Sequence, residues 1–287
     1  MDRLQHIAWL GMRLAVPTDW VIVRHAVRPE KGRLVLVDRR RQRLQLSWVR
    51  TPTAPDLEQA MADYRSRDVE ENPDRTFSPL ASVGRWRGFR RHEEQAVLTR
   101  AGQFDPRLRR WMEVVVEWPD GLEAILEEKV LRGSGAAEPD EHSAEWRAFG
   151  LDVRTPPTWV LQEATVKPAD VRLAFRDGRR DATVRRLGAP DAWYDGDLEE
   201  FLHKQVVGAK VRASAREHNG HAACLGESRL ARSRLGEWLG MGRPRLDLVW
   251  LCPAAHAVFQ VTTRARGPAV PPEQFVVRCC GQGGGKR

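Results

Sequence analysis

Short runs of alternating or β-branched apolar residues, broken by Pro, Gly and Arg-Gln pairs, predict strands over 12–16, 21–27, 34–38 and 43–48. The period then changes. Leu57, Met61 and Tyr64 recur at helical spacing behind Asp56, whose carboxylate can accept from free backbone amides while Gln59 reaches back. A further strand is expected near 86–94. The run 111–118 leads through Pro119-Asp120-Gly121 into 122–130, which reads as a hairpin with turn-forming chemistry.

The pattern then returns. Residues 11–48 laid over 150–187, a constant shift of 139, need no gap and share eleven identities, among them Gly11/Gly150, Pro17/Pro156, Trp20/Trp159, Asp38/Asp177, Arg40/Arg179 and Arg41/Arg180. Pro, Trp and Gly each meet a different physical need, so their coincidence in register argues for duplication. Asp197-Leu198-Glu199-Glu200 answers Asp56-Leu57-Glu58-Gln59 as a helix start, followed by Phe201 and Leu202. A strand near 222–228 and a pair over 246–251 and 256–263 are expected as counterparts of 86–94 and the 111–130 hairpin. The expected fold is α+β: two tandem copies of a mostly antiparallel sheet, each with one main helix on it, in a pseudo-two-fold arrangement. The copies are placed at 1–132 and 146–280, joined by a Gly- and Pro-containing linker at 133–145 and followed by a flexible tail at 281–287.

The start of each copy, Gly11 to Trp20 and Gly150 to Trp159, resembles the opening of PsbP-like domains: a strand, a Pro-x-x-Trp turn, then a meander of strands and a helix. Phe275-Val276-Val277 is similar to a short closing segment of such domains. Members of that family mostly bind other proteins. The resemblance implies a binding or assembly role and transfers no catalytic residue.

Composition suits this picture. Of 287 residues, 41% are hydrophobic and 30% charged, as in a globular protein with room for two cores. No apolar run reaches membrane-spanning length and no leader is evident, so a cytoplasmic location without membrane contact is expected. The net charge of +8 rests on 47 basic residues, only six of them Lys. Such an excess suits an anionic partner where it clusters on one face. Arg39, Arg40 and Arg41, matched by Arg179 and Arg180, form the clearest candidate for binding an anion or a partner, each set on a turn just after a strand. Trp20 and Trp159 are expected in the core, because packing demands the same position in both copies.

Candidate catalytic chemistry is thin. No Gly-x-Ser-x-Gly, His-Glu-x-x-His or strand-following Gly-x-Gly-x-x-Gly occurs, and Lys286 after three glycines lacks the Ser or Thr and the helix of a phosphate loop. Asn219-Gly220 should make a two-residue hairpin turn that sets His218 opposite His221, with Cys224 on the other face. That leaves two ligands, short of a zinc site, and the vicinal Cys279-Cys280 pair reads as small apolar residues closing the second copy. No metal, cofactor or catalytic residue is assigned. The expected function is a non-catalytic binding or assembly protein that presents sheet faces or an inter-domain groove to another protein. A nucleic-acid-associated protein using the Arg-rich turns is the alternative, and an enzyme without a local motif the third.

Overall fold

The computed structural model describes residues 3–138, 140–206, 209–230 and 242–280. The expected tail, 281–287, lies outside them. The chain divides into two compact units, Met1–Glu138 and Pro139–Arg287.

In the first unit the expected strands form where alternation is cleanest: β2 (Met12–Pro17), β3 (Val21–Arg24), β4 (Lys31–Val37) and β5 (Gln42–Arg50). The mixed stretch before them also pairs, as β1 (Leu4–Trp9) against β2. Then come α1 (Leu57–Glu71), β6 (Thr76–Pro79), β7 (Arg87–His92), β8 (Val97–Asp105), β9 (Arg110–Trp118), α2 (Ala124–Arg132) and β10 (Gly135–Ala136). Seven strands make an antiparallel sheet in the order β3-β4-β5-β9-β8-β7-β6, and β10 and β1 flank β2 in a separate ladder.

The second unit carries β11 (Ala144–Ala148), β12 (Leu151–Thr155), β13 (Val160–Lys167), β14 (Asp170–Asp177), β15 (Arg180–Gly188), α3 (Leu198–Gln205), β16 (Arg212–His218), β17 (His221–Leu230), β18 (Arg243–Cys252), β19 (Ala257–Ala265) and β20 (Val276–Val277). Its seven-stranded sheet runs β13-β14-β15-β19-β18-β17-β16, while β11 and β20 flank β12. Strand for strand, the two sheet orders are the same. By sheet position, β18 matches β8 and β19 matches β9, so 246–251 is not the counterpart of 111–118.

The α+β expectation is overturned. Twenty strands stand against three α-helices among the described residues, so the architecture is roughly all-β, and the helices are not shared out one per unit. The first unit has two because 122–130, expected as a strand, folds as α2. Ala, Leu, Glu and Lys are strong helix formers, and Glu127, Val130 and Leu131 fall on one face and are buried. An exposed Glu128–Arg132 pair at 2.8 Å supports the other face. The true hairpin partner of β9 is β8. The span expected as a linker holds β10 and the start of β11.

Local chemistry explains the helix starts. Asp56 accepts from Gln59 N at 3.0 Å, and Asp197 from Glu199 N and Glu200 N at 2.8 and 3.1 Å. Gln59 turns instead to Asp63 at 2.7 Å. Trp20 and Trp159 are both buried, each with its backbone N–H bonded to the proline three residues earlier at 3.1 Å. Each indole carries an arginine over its face, Arg43 at 5.0 Å and Arg180 at 5.7 Å, and each arginine also pairs with the matched aspartate, Asp38 or Asp177.

One ion pair gives a pH signature. Arg185 donates to both carboxylate oxygens of Asp170 at 2.8 and 2.7 Å and reaches Gln205 at the end of α3. Hydrogen bonding by Arg185 holds the Asp170 carboxyl below its ordinary 3.8, outweighing burial. Because the folded value is depressed, the pair's contribution is present above the ordinary value and lost as pH falls through the folded one. The protection of β14 and β15 amides, taken relative to their intrinsic exchange rate at each pH, should therefore fall on acidification below about pH 4, and Asp170→Asn should flatten that dependence. Equal acid sensitivity in the variant would refute the assignment.

Candidate functional site

Two features of the structure offer themselves, one in each unit. In the first unit α1 is poorly covered: of fifteen residues only Met61 and Asp68 are buried. Leu57, Ala60 and Tyr64 pack partly against Phe89 and Trp111. Between the start of α1 and strands β6 and β7 lies an open cleft of about 790 Å³, with Met61, Phe77, Leu80 and Phe89 in its lining and Arg65 and Arg87 on its rim. Strand β6 is the last in its sheet, and among the described residues no strand pairs with its outer edge. Among the described residues, neither Arg65 nor Arg87 has an acidic side chain within ion-pair distance; Arg87 is spent on the carbonyls of Gly84 and Trp86. The cleft has an apolar lining, and its charged residues are mixed, Asp56 and Glu58 beside Arg65 and Arg87, so it suits an apolar side chain flanked by polar or charged ones.

In the second unit the Asn219-Gly220 turn forms with both residues at positive φ, and His218 and His221 face each other across it as expected. Their roles then diverge. The His218 ring lies edge-on to Trp250 with centroids 4.5 Å apart, and burial pushes its pKa down. His221 turns to the cysteines instead. Its Nε2 lies 3.2 Å from Cys280 Sγ and 3.3 Å from Cys279 Sγ, and those sulfurs are 3.9 Å apart. With Cys252 Sγ, the four donor atoms all lie within 4.8 Å of one another. Cys224 is elsewhere, in the core with Phe201, Leu202 and Val249.

The site is built from three places. The β16–β17 turn supplies His221, the end of β18 supplies Cys252, and the segment after β20 supplies Cys279 and Cys280. Asn219 Nδ2 donates to Val277 O at 2.8 Å and Arg278 N to Asp152 O at 2.9 Å, fixing that segment against the turn and β12. Burial, joined by Cys252 and Cys280 and opposed by the Trp250 N–H, pushes the Cys279 thiol up to about 12. A thiol so placed is no nucleophile at neutral pH. What the arrangement can do is ligate: the reading of Cys279-Cys280 as closing apolar residues misses their sulfurs meeting a histidine and a third cysteine.

The first unit answers this corner differently. Asp105 ends β8 opposite Arg110 as Cys252 ends β18 opposite Ala257. It is buried, ion-paired at 3.6 Å with Arg85 and 3.5 Å with Arg107, and accepts from Leu108 N. Extending the β20 ladder puts Cys279 opposite Leu151, the match of Met12, which pairs with Ala136; alanines 136 and 137 thus stand where the vicinal cysteines do.

The predicted arginines are placed on the β4–β5 and β14–β15 turns, all exposed. Arg41 approaches Asp120 at 3.7 Å and Arg180 is held by Asp177 and Trp159. Arg39, Arg40 and Arg179 have no ion-pair partner among the described residues. The three arginines near 107 take structural parts: Arg107 pairs with Asp105, buried Arg110 donates to Leu10 O at 2.7 Å, and Arg109 takes a positive φ in the β8–β9 turn. No described helix is long and apolar enough to cross a membrane. Comparison with models of known protein families and with curated proteins finds no match to this chain.

Proposed function

We propose that the protein is a non-catalytic binding factor whose first unit takes an extended segment of another protein in the cleft between α1 and β6, working in the reducing cytoplasm where its four cysteines stay out of disulfides. The observation that carries this is the under-covered α1 beside an unpaired sheet edge. A helix that buries one apolar side chain in fifteen residues gains little from its own sheet, and a bound segment would supply the missing cover. The edge of β6 offers backbone groups to an added strand, with Phe77 and Phe89 positioned for one apolar anchor. Arg65, with no acidic side chain within ion-pair distance among the described residues, is free to pair with an acidic residue beside that anchor, while Asp56 and Glu58 disfavour a second one. The matching sheet orders and the shared Pro-Trp-Asp-Arg arrangement support duplication of one sheet unit, and the resemblance to PsbP-like openings favours partner binding over chemistry.

Selection from a random peptide library tests this. Enriched peptides should carry an aromatic or aliphatic anchor beside Asp or Glu. Ala62, exposed in the cleft wall, can be filled without disturbing the core, so Ala62→Trp should weaken the selected peptide at least about tenfold. Equal binding by Ala62→Trp, or no enrichment, would sink the cleft reading. Steeply salt-dependent retention on a polyanion, abolished by Arg40→Glu with Arg179→Glu, would replace it with nucleic-acid binding.

A further inference from the structure

We infer that His221, Cys252, Cys279 and Cys280 bind one zinc ion in a closed, four-coordinate site that ties the segment after β20 to the β16–β17 turn of the second unit. This inference is independent of the cleft in the first unit.

Tetrahedral zinc, with Zn–S about 2.3 Å and Zn–N about 2.0–2.1 Å, sets its sulfurs about 3.8 Å apart and its nitrogen about 3.5 Å from each sulfur. The observed 3.9 Å between Cys279 and Cys280, and 3.2 and 3.3 Å from His221 Nε2, lie close to that figure. Three sulfurs and an imidazole are a soft donor set that suits zinc and excludes magnesium and calcium, which require oxygen. Four protein donors leave no open position, which marks a structural site rather than a hydrolytic one. As the ion enters, three Zn–S bonds and one Zn–N bond form, and each thiol still protonated gives its proton to solvent.

Two observations support the assignment from outside the donor set. The fully buried Trp250 Nε1–H makes no well-formed hydrogen bond among the described residues and interacts only with the Cys279 sulfur. A metal-bound thiolate is a stronger acceptor for that donor than a thiol is. The other is the contrast between units. Where the first closes the corresponding corner with Asp105 and two arginines, the second places sulfur at Cys252, Cys279 and Cys280, and the segment just after β20 gains an anchor.

The test uses the full chain, prepared with zinc under reducing conditions and freed of loose metal by gel filtration. Elemental analysis should return one zinc per chain. Cobalt substitution should give the intense visible bands of a tetrahedral ion together with a sulfur-to-cobalt charge-transfer band. Cys252→Ser and His221→Ala should each weaken zinc by more than about 100-fold, Trp250→Phe by about 10–100-fold, whereas Cys224→Ser, whose sulfur lies in the core beside α3, should keep it. A chelator should speed hydrogen exchange in β20 and the Asn219-Gly220 turn and leave the first unit unchanged. Should the ligand variants fail to fold, the cobalt spectrum of the parent still decides. A parent chain with no metal, a cobalt complex without the sulfur band, or zinc retained by Cys252→Ser with Cys279→Ser would each overturn the inference.

Discussion

Replacing Glu127 with alanine is expected to cost the first unit about 3 kcal/mol, at the low end of the range for breaking a buried ion pair. Glu127 is 2% exposed on α2. Arg90 on β7 binds it through Nε at 3.0 and 3.2 Å and Nη2 at 2.6 Å, Thr99 on β8 donates to Oε1, and Trp118 on β9 donates to Thr99 at 3.0 Å. The carboxylate therefore joins a helix to three strands, and hydrogen bonding to it raises the Arg90 pKa against desolvation. Truncation leaves Arg90 and Thr99 without their acceptor, and burying a charge unpaired costs far more than a lost surface bridge. The Arg90 side chain retains 20% exposure, so partial escape to water keeps the loss near the lower bound. Glu127→Gln, which keeps an acceptor but no charge, should cost roughly half as much. A chain of two units has no single unfolding free energy, so the measurement is hydrogen exchange resolved to α2, β7 and β8. A loss below about 1 kcal/mol there would show that the network contributes nothing beyond a surface pair.

The same residue shows where sequence reasoning stops. Strands β2, β4 and β5, the aspartate caps and the Asn219-Gly220 turn are legible because each is decided by neighbours: alternation, a side-chain acceptor, a positive-φ pair. Helix α2 is decided at a distance. A glutamate on its buried face breaks the apolar stripe, and only the arrival of Arg90, 37 residues earlier, makes that position tolerable. Strand β1 has the weak pattern of a ladder member whose buried residues, Ile7, Ala8 and Trp9, are a consecutive run confined to its second half. The metal donors escape for a related reason. Zinc knuckles are visible when Cys-x-x-Cys pairs lie on one turn; here strand pairing collects His221, Cys252 and the vicinal pair from residues 27 or more apart. One signal was present: all four cysteines fall in the second copy and none in the first, an asymmetry that duplicated packing does not require. The cleft has no signature at all, since it depends on how little α1 buries.

Gly88→Ala is expected to be the most damaging single-methyl change in the first unit, costing about 3 kcal/mol or more. Gly88 pairs with Ala101 across β7 and β8, and a Cβ there would fall on the Arg100 carbonyl oxygen and 2.7 Å from Ala101 Cα. These are backbone atoms, so no rotamer change gives relief, and the two strands must separate. The glycine is required for close approach, not for an unusual φ. Gly84 makes the opposite case: at φ +59 with nothing within 4 Å of an added Cβ, Gly84→Ala should cost only the roughly 1 kcal/mol of left-handed backbone strain. Because α1 packs on β7 and β8, displacing β7 also removes the support beneath the helix and one wall of the cleft. Exchange should therefore quicken in β6, β7 and α1 together in Gly88→Ala, and the selected peptide should lose affinity although its contact side chains are intact. In Gly84→Ala both should stay near the parent. Parallel behaviour of the two variants would mean that strand spacing at Gly88 does not set the cleft, and that β7 can shift without moving α1.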